Sequence, residues 1–368
     1  MARNIHGVHE PLFHISRRQE SSLLLAIGVR LVAILLALVA CGVVIVGLTG
    51  LNPMEVYAGI IDGAVGSSRR LWVTIRDALA LLLVAVAITP AFKMRFWNVG
   101  GEGQVLIGAT ATAAVMINLG GKLPAPALFA LMIGASLLAG MIWGVLPALF
   151  KAGWNTNETL FTLMMNYVAI QIVSFCIVYW ENPVGSNSVG IINASNKAGW
   201  LPPLFNLTYG WNLVIVLALA VFIYIYLRYS KQGYEIAYVG HSMNTARYAG
   251  INVKNVIVRT MAISGALCGL AGFILVSGAG HTISTTLAGG RGFTAIVVAW
   301  LSKLNTFTMM IVSFLLTFMA KGAIQIASQF SLNENASEII TGIILFFVLG
   351  CEFFINYKVE FRHRHREG

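Results

Sequence analysis

The sequence predicts an all-α integral membrane protein: a polytopic helical bundle of about ten transmembrane segments, one of them short or half-spanning. Three observations lead there. Of 368 residues, 58% are hydrophobic and only 10% charged, with a mean hydropathy of +0.80, and such a chain cannot cover itself with a polar surface in water. Apolar runs of about 20 residues, the length a helix needs to cross a bilayer, recur along the chain. The basic residues gather in alternate connections, as orientation in a membrane requires.

The excess of 24 Lys and Arg over 14 Asp and Glu does not point to nucleic acid, because no basic block with interleaved aromatics lies outside the short tails. Cys41, Cys176, Cys268 and Cys351 all sit in apolar runs without metal or redox spacing and read as packing residues. No metal site is expected. An enzyme embedded in the membrane would need a constellation such as HExxH, GxSxG or paired aspartates inside the spans, and none is present, so no catalytic residue is assigned. His281, in GAGHTIS, reads as a lone structural histidine.

Residues 1–30 form a cytoplasmic tail whose His6, His9 and His14 are too irregularly spaced for a metal. The first span is Leu31 to Leu51. Within it Leu38-Val39-Ala40-Cys41 resembles a lipoprotein cleavage box, yet the apolar run continues well past the cysteine, and an uncleaved helix is expected. Further spans are Leu71 to Phe92, Asn98 to Leu119, Ala125 to Phe150, Glu158 to Trp180, Trp211 to Arg228, Val256 to Ala279, Asn305 to Ser328 and Glu338 to Asn356. Together they make a membrane domain over 31–356. Between Gly292 and Lys303 a shorter run, GFTAIVVAWLSK, suits a half-span or a short helix shielded inside the bundle.

Loop charge tests the count. With ten crossings, one side receives Arg17, Arg18, Lys93, Arg95, Lys151, Arg228, Lys231, Arg247, Lys254, Arg259, Lys303 and the basic C-terminal tail, 357–368. The other keeps Arg69, Arg70, Arg76, Lys122, Lys197 and Arg291. Both termini are therefore expected in the cytoplasm. Dropping the short run would put the tail FRHRHREG outside, which argues against nine.

Two connections are long enough to act. The outer one, 181–210, carries Pro183, Pro202, Pro203 and Trp200 among Asn, Ser and Gly, which suits an irregular lid or docking surface. The inner one, 229–256, has at its centre Ser242 to Gly250, room for two helical turns with Ser242 as cap. Small residues Ala246, Ala249 and Gly250 permit close approach, so docking to another protein is favoured over a solvated connector.

The stretch Phe96 to Ala109, FWNVGGEGQVLIGA, places Asn98, Glu102 and Gln104 beside three glycines at the mouth of an apolar run. Polar groups in hydrocarbon cost several kcal/mol unless they face protein or water, so such residues are functional candidates. The alternative is a glycine-rich turn with Glu102 capping the second of its two spans. A charged substrate would need paired charges along its route. The spans offer instead Asn98, Gln104, Thr110, Asn157, Thr162, Asn166 and Gln171, which hydrogen-bond neutral hydroxyls and amides. Phe96, Trp97, Phe161 and Tyr167 suit either stacking on a sugar or base or, more commonly for aromatics at helix ends, interface anchoring. Arg76 and Asp77 are expected to pair locally or snorkel. Lys321, with Gln325 and Ser328, forms a polar stripe that Glu334 or Glu338 would neutralise.

The segments WNVGGEGQVLIGA, NETLFTLMMNYVAIQ, YVGHSMNTARYAGINV, MAISGALCGLAGF and GRGFTAIVVAWLSKLN, in this order, resemble permease subunits of bacterial ATP-binding cassette importers. The likeness covers roughly residues 70 to 350 and is narrowest to the nucleoside and simple-sugar branch, related to ribose and branched-chain amino acid permeases. Two departures stand out: the Thr-Pro of helix two lies late, in ITPAF, and Thr306 follows Asn305 where relatives commonly have proline. The resemblance implies a plasma-membrane import subunit for a neutral polar solute, nucleosides first, with simple sugars such as ribose or galactose as the alternative. Asn98, Glu102, Gln104, Asn157 and Asn166 would line the pathway. Gly240, His241, Ser242, Asn244, Ala246, Arg247, Tyr248, Ala249 and Gly250 would form the coupling segment seated on an ATPase. The chain has no GxxxxGK followed by Ser or Thr, so ATP and Mg would be bound by separate ATPase subunits and no cofactor by this chain. A second permease, the same or a related chain, and an extracytoplasmic substrate-binding protein complete the implied machine. The rival from another class is an ion-coupled secondary transporter using Glu102 or Asp77.

Overall fold

The computed structural model describes residues 13–18, 23–204, 207–330 and, between 339 and 361, all but 341, 344, 345, 348, 349, 352 and 356. The chain divides into two units, 1–66 with 319–368, and 67–318.

The smaller unit begins with a strand, β1 (Phe13–Arg17), that pairs antiparallel with β2 (Tyr357–Phe361) in the register Phe13 to Phe361 and Arg17 to Tyr357. Helices α1 (Leu23–Thr49) and α2 (Pro53–Val65) follow. The sequence reading did not anticipate α2. Its start is nonetheless well specified: Pro53 occupies the first turn, where its missing N–H costs nothing, and the Asn52 side chain accepts from the Met54 N–H at 3.0 Å. It fits closely against the helix Thr306–Gln329: a Cβ on Gly63 would lie 2.3 Å from Gln325 Cβ, and one on Gly322 of that helix 2.3 Å from Ile60. Cys41 is buried and its thiol donates to the Ile340 carbonyl, which fits a packing role. Glu334, Glu338, most of the N-terminal tail and the last seven residues lie outside the described residues.

The larger unit is all helical: α3 (Ser68–Lys93), α4 (Gly101–Leu119), α5 (Ala125–Trp154), α6 (Glu158–Tyr179), α7 (Gly210–Tyr229), α8 (Lys231–His241), α9 (Met243–Tyr248), α10 (Val253–Leu275), α11 (Arg291–Leu301) and the first half of α12 (Thr306–Gln329). Helices α3, α5, α6, α7, α10 with its π-helical turn to Gly280, and α12 are long and apolar enough to cross a membrane. Two of them form the core. From Asp77 to Phe92 every residue of α3 is buried, and α10 is buried on almost every face, the pattern of a helix surrounded by protein. By contrast α5, α6 and α7 bury one stripe and expose Leu138, Ile142, Leu160, Val168, Phe175, Val221, Phe222 and Ile225. Apolar outside as well as inside, they suit a lipid surround.

What lets α4, α5 and α10 approach so closely is a seam of small residues. Gly140 and Gly144 on α5 face Gly265 and Gly269 on α10, each pair spaced i, i+4 and so on one face of its helix. A Cβ on Gly140 would lie 2.3 Å from the Gly265 carbonyl oxygen, one on Gly269 2.1 Å from that of Ser136, and one on Gly108 of α4 2.3 Å from Gly269 Cα. Backbone-to-backbone contact of this kind is how helices gain van der Waals attraction in lipid, where apolar burial offers no advantage.

Two elements begin inside the bundle instead of at its surface. After Lys93 the chain turns back through Arg95, at φ 59°, and the Asn98 side chain reaches Ser264, which is eleven residues into α10 and so roughly 16 Å from its start. Helix α4 therefore starts about half-way up. Helix α11, with 11 residues, measures about 16 Å, half the thickness of the hydrocarbon layer. It is the half-span; residues 281–290 complete the return from the far end of α10.

The connection 181–210 is irregular, as expected, yet firmly tied. The Trp200 indole stacks on His281 at 3.8 Å and donates to the Ile192 carbonyl, Asn193 donates to Met116 and Ala198 carbonyls, and Leu201 N–H donates to Ser277. It closes over the ends of α4 and α10.

Because the seam leaves no room for a side chain, Gly265→Leu is expected to force α5 and α10 apart at a cost of about 1–3 kcal/mol or more, lowering the thermal midpoint of the detergent-solubilised protein. Gly134→Leu, on the same α5 but with nothing within 4 Å of the added Cβ, is expected to leave it unchanged.

Candidate translocation path and coupling segment

The first four N–H groups of a helix have no partner within it. At a protein surface water takes them; the start of α4 is buried, and side chains supply oxygens to its approach and to its first turn. Asn98 Oδ1 accepts from Gly100 N–H at 3.1 Å, Thr162 Oγ1 from Val99 N–H at 3.2 Å, and Asn166 Oδ1 from Gly103 N–H at 2.8 Å. The amide ends are satisfied as well. Asn98 Nδ2 donates to Gln104 Oε1 and Ser264 Oγ, Gln104 Nε2 donates back to Asn98 Oδ1, and Asn166 Nδ2 donates to the Val99 carbonyl at 3.0 Å. Asn98, Gln104, Asn166 and Thr162 are all buried. The network joins the start of α4 to α6 and α10 through neutral groups only.

Glu102 does a related task for the other inner helix. Its carboxylate accepts from Gly290 N–H at 2.8 Å and Gly292 N–H at 2.7 Å, so a negative charge caps the positive end of the half-helix α11. The sequence reading considered Glu102 as a cap for its own span; the helix it caps is α11. Gly290, at φ 71°, lies in the left-handed region, and a Cβ on Gly292 would lie 2.3 Å from Glu102 N. Both glycines are therefore demanded by the cap.

Around this cap the charges are matched. Asp77 Oδ1 lies 2.8 Å from Arg76 Nε and 3.7 Å from Arg291 Nη2, and Arg76 also donates to the Tyr209 hydroxyl. Arg76 and Asp77 pair as expected. Arg291 corrects the sequence reading: assigned there to an outer loop, it stands at the start of α11 against Asp77, and its guanidinium also donates to the Leu287 and Ala288 carbonyls. Asp77, which is buried, thus has two guanidinium partners, as buried charge requires. Sequence alone offered one signal for this, the glycines flanking Arg291.

Other candidates lie elsewhere. Asn157 is exposed at the N-cap of α6, accepting from Thr159 and Leu160 N–H; Thr110 bonds back to the Leu106 carbonyl of its own helix; Gln171 is exposed on α6. Of the aromatics, Phe96 is buried and Tyr167 exposed, while Phe161 packs on Phe150 at 4.8 Å. Trp97 stacks on Trp300 at 5.4 Å, with Phe92 edge-on to both. This half-exposed pair joins the end of α11 to the segment that leads into α4.

The inner connection is two helices, α8 and α9. Ile236 and Val239 bury α8, Glu235 pairs with Arg259 of α10 at 2.9 Å, and a Cβ on Gly240 would lie 2.2 Å from the Lys93 carbonyl oxygen. So α8 is wedged under the end of α3. Ser242, with extended backbone, ends it and caps α9 by accepting from Thr245 N–H at 3.2 Å, as the sequence anticipated. Within α9 Ala246 is fully buried, whereas Asn244, Arg247 and Tyr248 are exposed, Tyr248 at 93%. His241, Ala249 and Gly250 are exposed too. Gly240 and Ala246 thus hold the segment in place, and the rest face outward.

Removing the acceptor of a charged hydrogen bond in a buried site costs about 1–3 kcal/mol. Glu102→Ala is accordingly expected to lower the thermal midpoint and to open the N-terminal amides of α11 to hydrogen exchange, with Glu102→Gln, which keeps one acceptor oxygen, in between.

With this architecture in view, comparison with known proteins is informative. A family profile described as branched-chain amino acid transport system / permease component matches residues 71–349. The chain is similar to the glucose ABC transporter permease protein TsgB13 of Haloferax volcanii, 28% identical with 91% of this chain and 90% of the relative covered. It is similar to the guanosine ABC transporter permease protein NupP of Bacillus subtilis, 29% identical with 90% and 94% covered. It is also similar to the nucleoside ABC transporter permease protein NupB of Lactococcus lactis, 26% identical with 83% and 86% covered. The match runs from α3 almost to β2, through nearly the whole of the helical unit just described, and the chain belongs to the branched-chain amino acid transport system permease family.

Proposed function

We propose that this permease forms the membrane path of an ATP-driven importer for nucleosides, and that α9 is the element through which a separate ATPase drives it. The observation that carries this is the seating of α8 and α9. A six-residue helix presents Arg247 and Tyr248 outward, while its neighbour α8 lies against the Lys93 carbonyl. Lys93 begins the turn that leads, within five residues, to Asn98. A push on α9 would therefore reach the amide network at the start of α4 through contiguous backbone. Coupling needs such an element with two arrangements that both ends bias, and the Asn98, Gln104 and Asn166 amides are suited to it, since they can exchange partners with one another or with a solute.

The end bearing α8 and α9 also bears Lys93, Arg228, Lys254, Arg259 and Lys303, which supports a cytoplasmic location for it and, with ten crossings, for both termini. Neutral amides along the route fit an uncharged solute rich in hydroxyls and ring nitrogens. The guanosine and nucleoside relatives support nucleosides; the glucose relative, of similar identity and coverage, supports a simple sugar as the second reading. An extracytoplasmic binding protein and a second permease, the same chain or a related one, complete the assembly. Asn157, at the exposed mouth of α6, would meet solute only as it enters or leaves. Ion-coupled transport is disfavoured because Glu102, its best carboxylate, is committed to capping α11.

Uptake of labelled guanosine, uridine, ribose and glucose into cells carrying the complete system tests this. Nucleoside uptake is expected to persist after the proton gradient is collapsed with ATP maintained; uptake that vanishes with the gradient would transfer the protein to the secondary transporters. Arg247→Glu with Tyr248→Ala is expected to lower uptake by roughly tenfold, the scale of a coupling free energy of about 1–3 kcal/mol, at unchanged membrane level. Unimpaired uptake would remove α9 from the coupling role.

A further inference from the structure

Beyond transport, we propose that a cavity between α3, α7, α8 and the α11–α12 turn is a binding site for the phosphate of an anionic phospholipid. The cavity measures about 530 Å³, and Lys93, Arg228 and Lys303 all stand in its wall together with Tyr224, Tyr234 and Asn305. No carboxylate stands among its lining residues. Three cations converging on one hollow set up a potential that favours an anion, and guanidinium and ammonium groups both bind phosphate oxygens.

The backbone adds to it. The first turns of α8, at Gly233, and of α12, at Thr306, both line the hollow; their leading N–H groups are taken by Ser230 Oγ and Asn305 Oδ1, so what each end adds is the partial positive charge of its dipole. Lys303 and Leu304 take φ of 49° and 58°, a left-handed turn that sets Lys303 in the cavity wall.

The surroundings point to lipid as the source of the phosphate. Above the cavity α7 exposes Val221, Phe222 and Ile225, and α12 exposes Phe307, Ile311 and Phe314, with Tyr224 packed edge-on against Phe307 at 5.3 Å where the two helices meet. Acyl chains lying on these apolar faces would deliver a headgroup directly to the cations. Basic hollows between helices at the membrane surface are suited to acidic headgroups in this way. The site borders α8, so its occupant would also steady the element that carries α9.

The full-length protein in nanodiscs of mixed phosphatidylglycerol and phosphatidylcholine, repurified in mild detergent, tests the assignment by native mass spectrometry of retained lipid. The wild-type chain is expected to retain phosphatidylglycerol preferentially. Each basic side chain near an anionic lipid contributes a preference of roughly fivefold, so Arg228→Gln with Lys303→Gln should lower the enrichment by that factor for each residue replaced. Arg228→Lys should keep it. Lys93 is left intact because its Nζ also donates to the Leu227 carbonyl at 3.1 Å, and elution volume checks that the variants are folded. Equal retention of both lipids by wild type and the double variant would overturn the site. Thermal protection of the wild type by inorganic phosphate, without any preference for phosphatidylglycerol, would overturn the lipid assignment in favour of a free phosphoryl ligand. Unchanged lipid retention in a double variant that no longer holds the ATPase would give the cavity to the partner protein instead.

Discussion

Backbone N–H groups that meet no water must be paired by the protein itself, and this permease puts two helix starts, those of α4 and α11, under that constraint. Almost everything distinctive about its centre follows from satisfying them. Three side chains, Asn98, Thr162 and Asn166, supply oxygens to the approach and first turn of α4, and one carboxylate, Glu102, supplies both of its oxygens to α11. At the same end of α11, Asp77 is held by Arg76 and Arg291. A broken helix in a bilayer is tolerable only where protein or a water-filled path receives its exposed backbone. Here protein supplies those partners, through neutral amides, a hydroxyl and one carboxylate.

In the coupling role proposed for α9, its route to this network is short. Nothing between α9 and Asn98 is a long flexible linker. Backbone of α8 abuts backbone of α3 at Gly240 and Lys93, and the chain then folds back through Arg95 into the amide network. The Trp97 and Trp300 pair ties the half-helix to the same stretch. Displacing α8 would therefore load both inner helix starts together.

Much of this was legible in the sequence because its cues are local. Spans announce themselves by length and composition, and Ser242 as a cap followed from one polar residue before a short helical stretch. The glycines around Glu102 marked a break. What escaped was set by tertiary contact. The 13 residues of α2 are too few to read as a span. Arg291 looked like loop charge, since only the fold reveals that residues 281–290 descend into the bundle to meet Asp77. That Glu102, in the first turn of α4 as expected, also holds α11 is a partnership across 188 and 190 residues, beyond any periodicity. At Asn157 the sequence shows a polar residue directly before a span; that its side chain caps α6 is what the structure adds.

The glycine seam gives the bundle a frame. With α4, α5 and α10 in backbone contact at Gly108, Gly140, Gly265 and Gly269, those three helices have no slack in which to slide and behave as a keel. Helix α11 abuts the same frame at Gly292, against the Glu102 backbone, and α6 is tied to it by the Asn166 and Thr162 side-chain bonds. A glycine in such a seam can be replaced only where the backbone opposite it yields, so the frame is a set of positions that constrain one another across four helices.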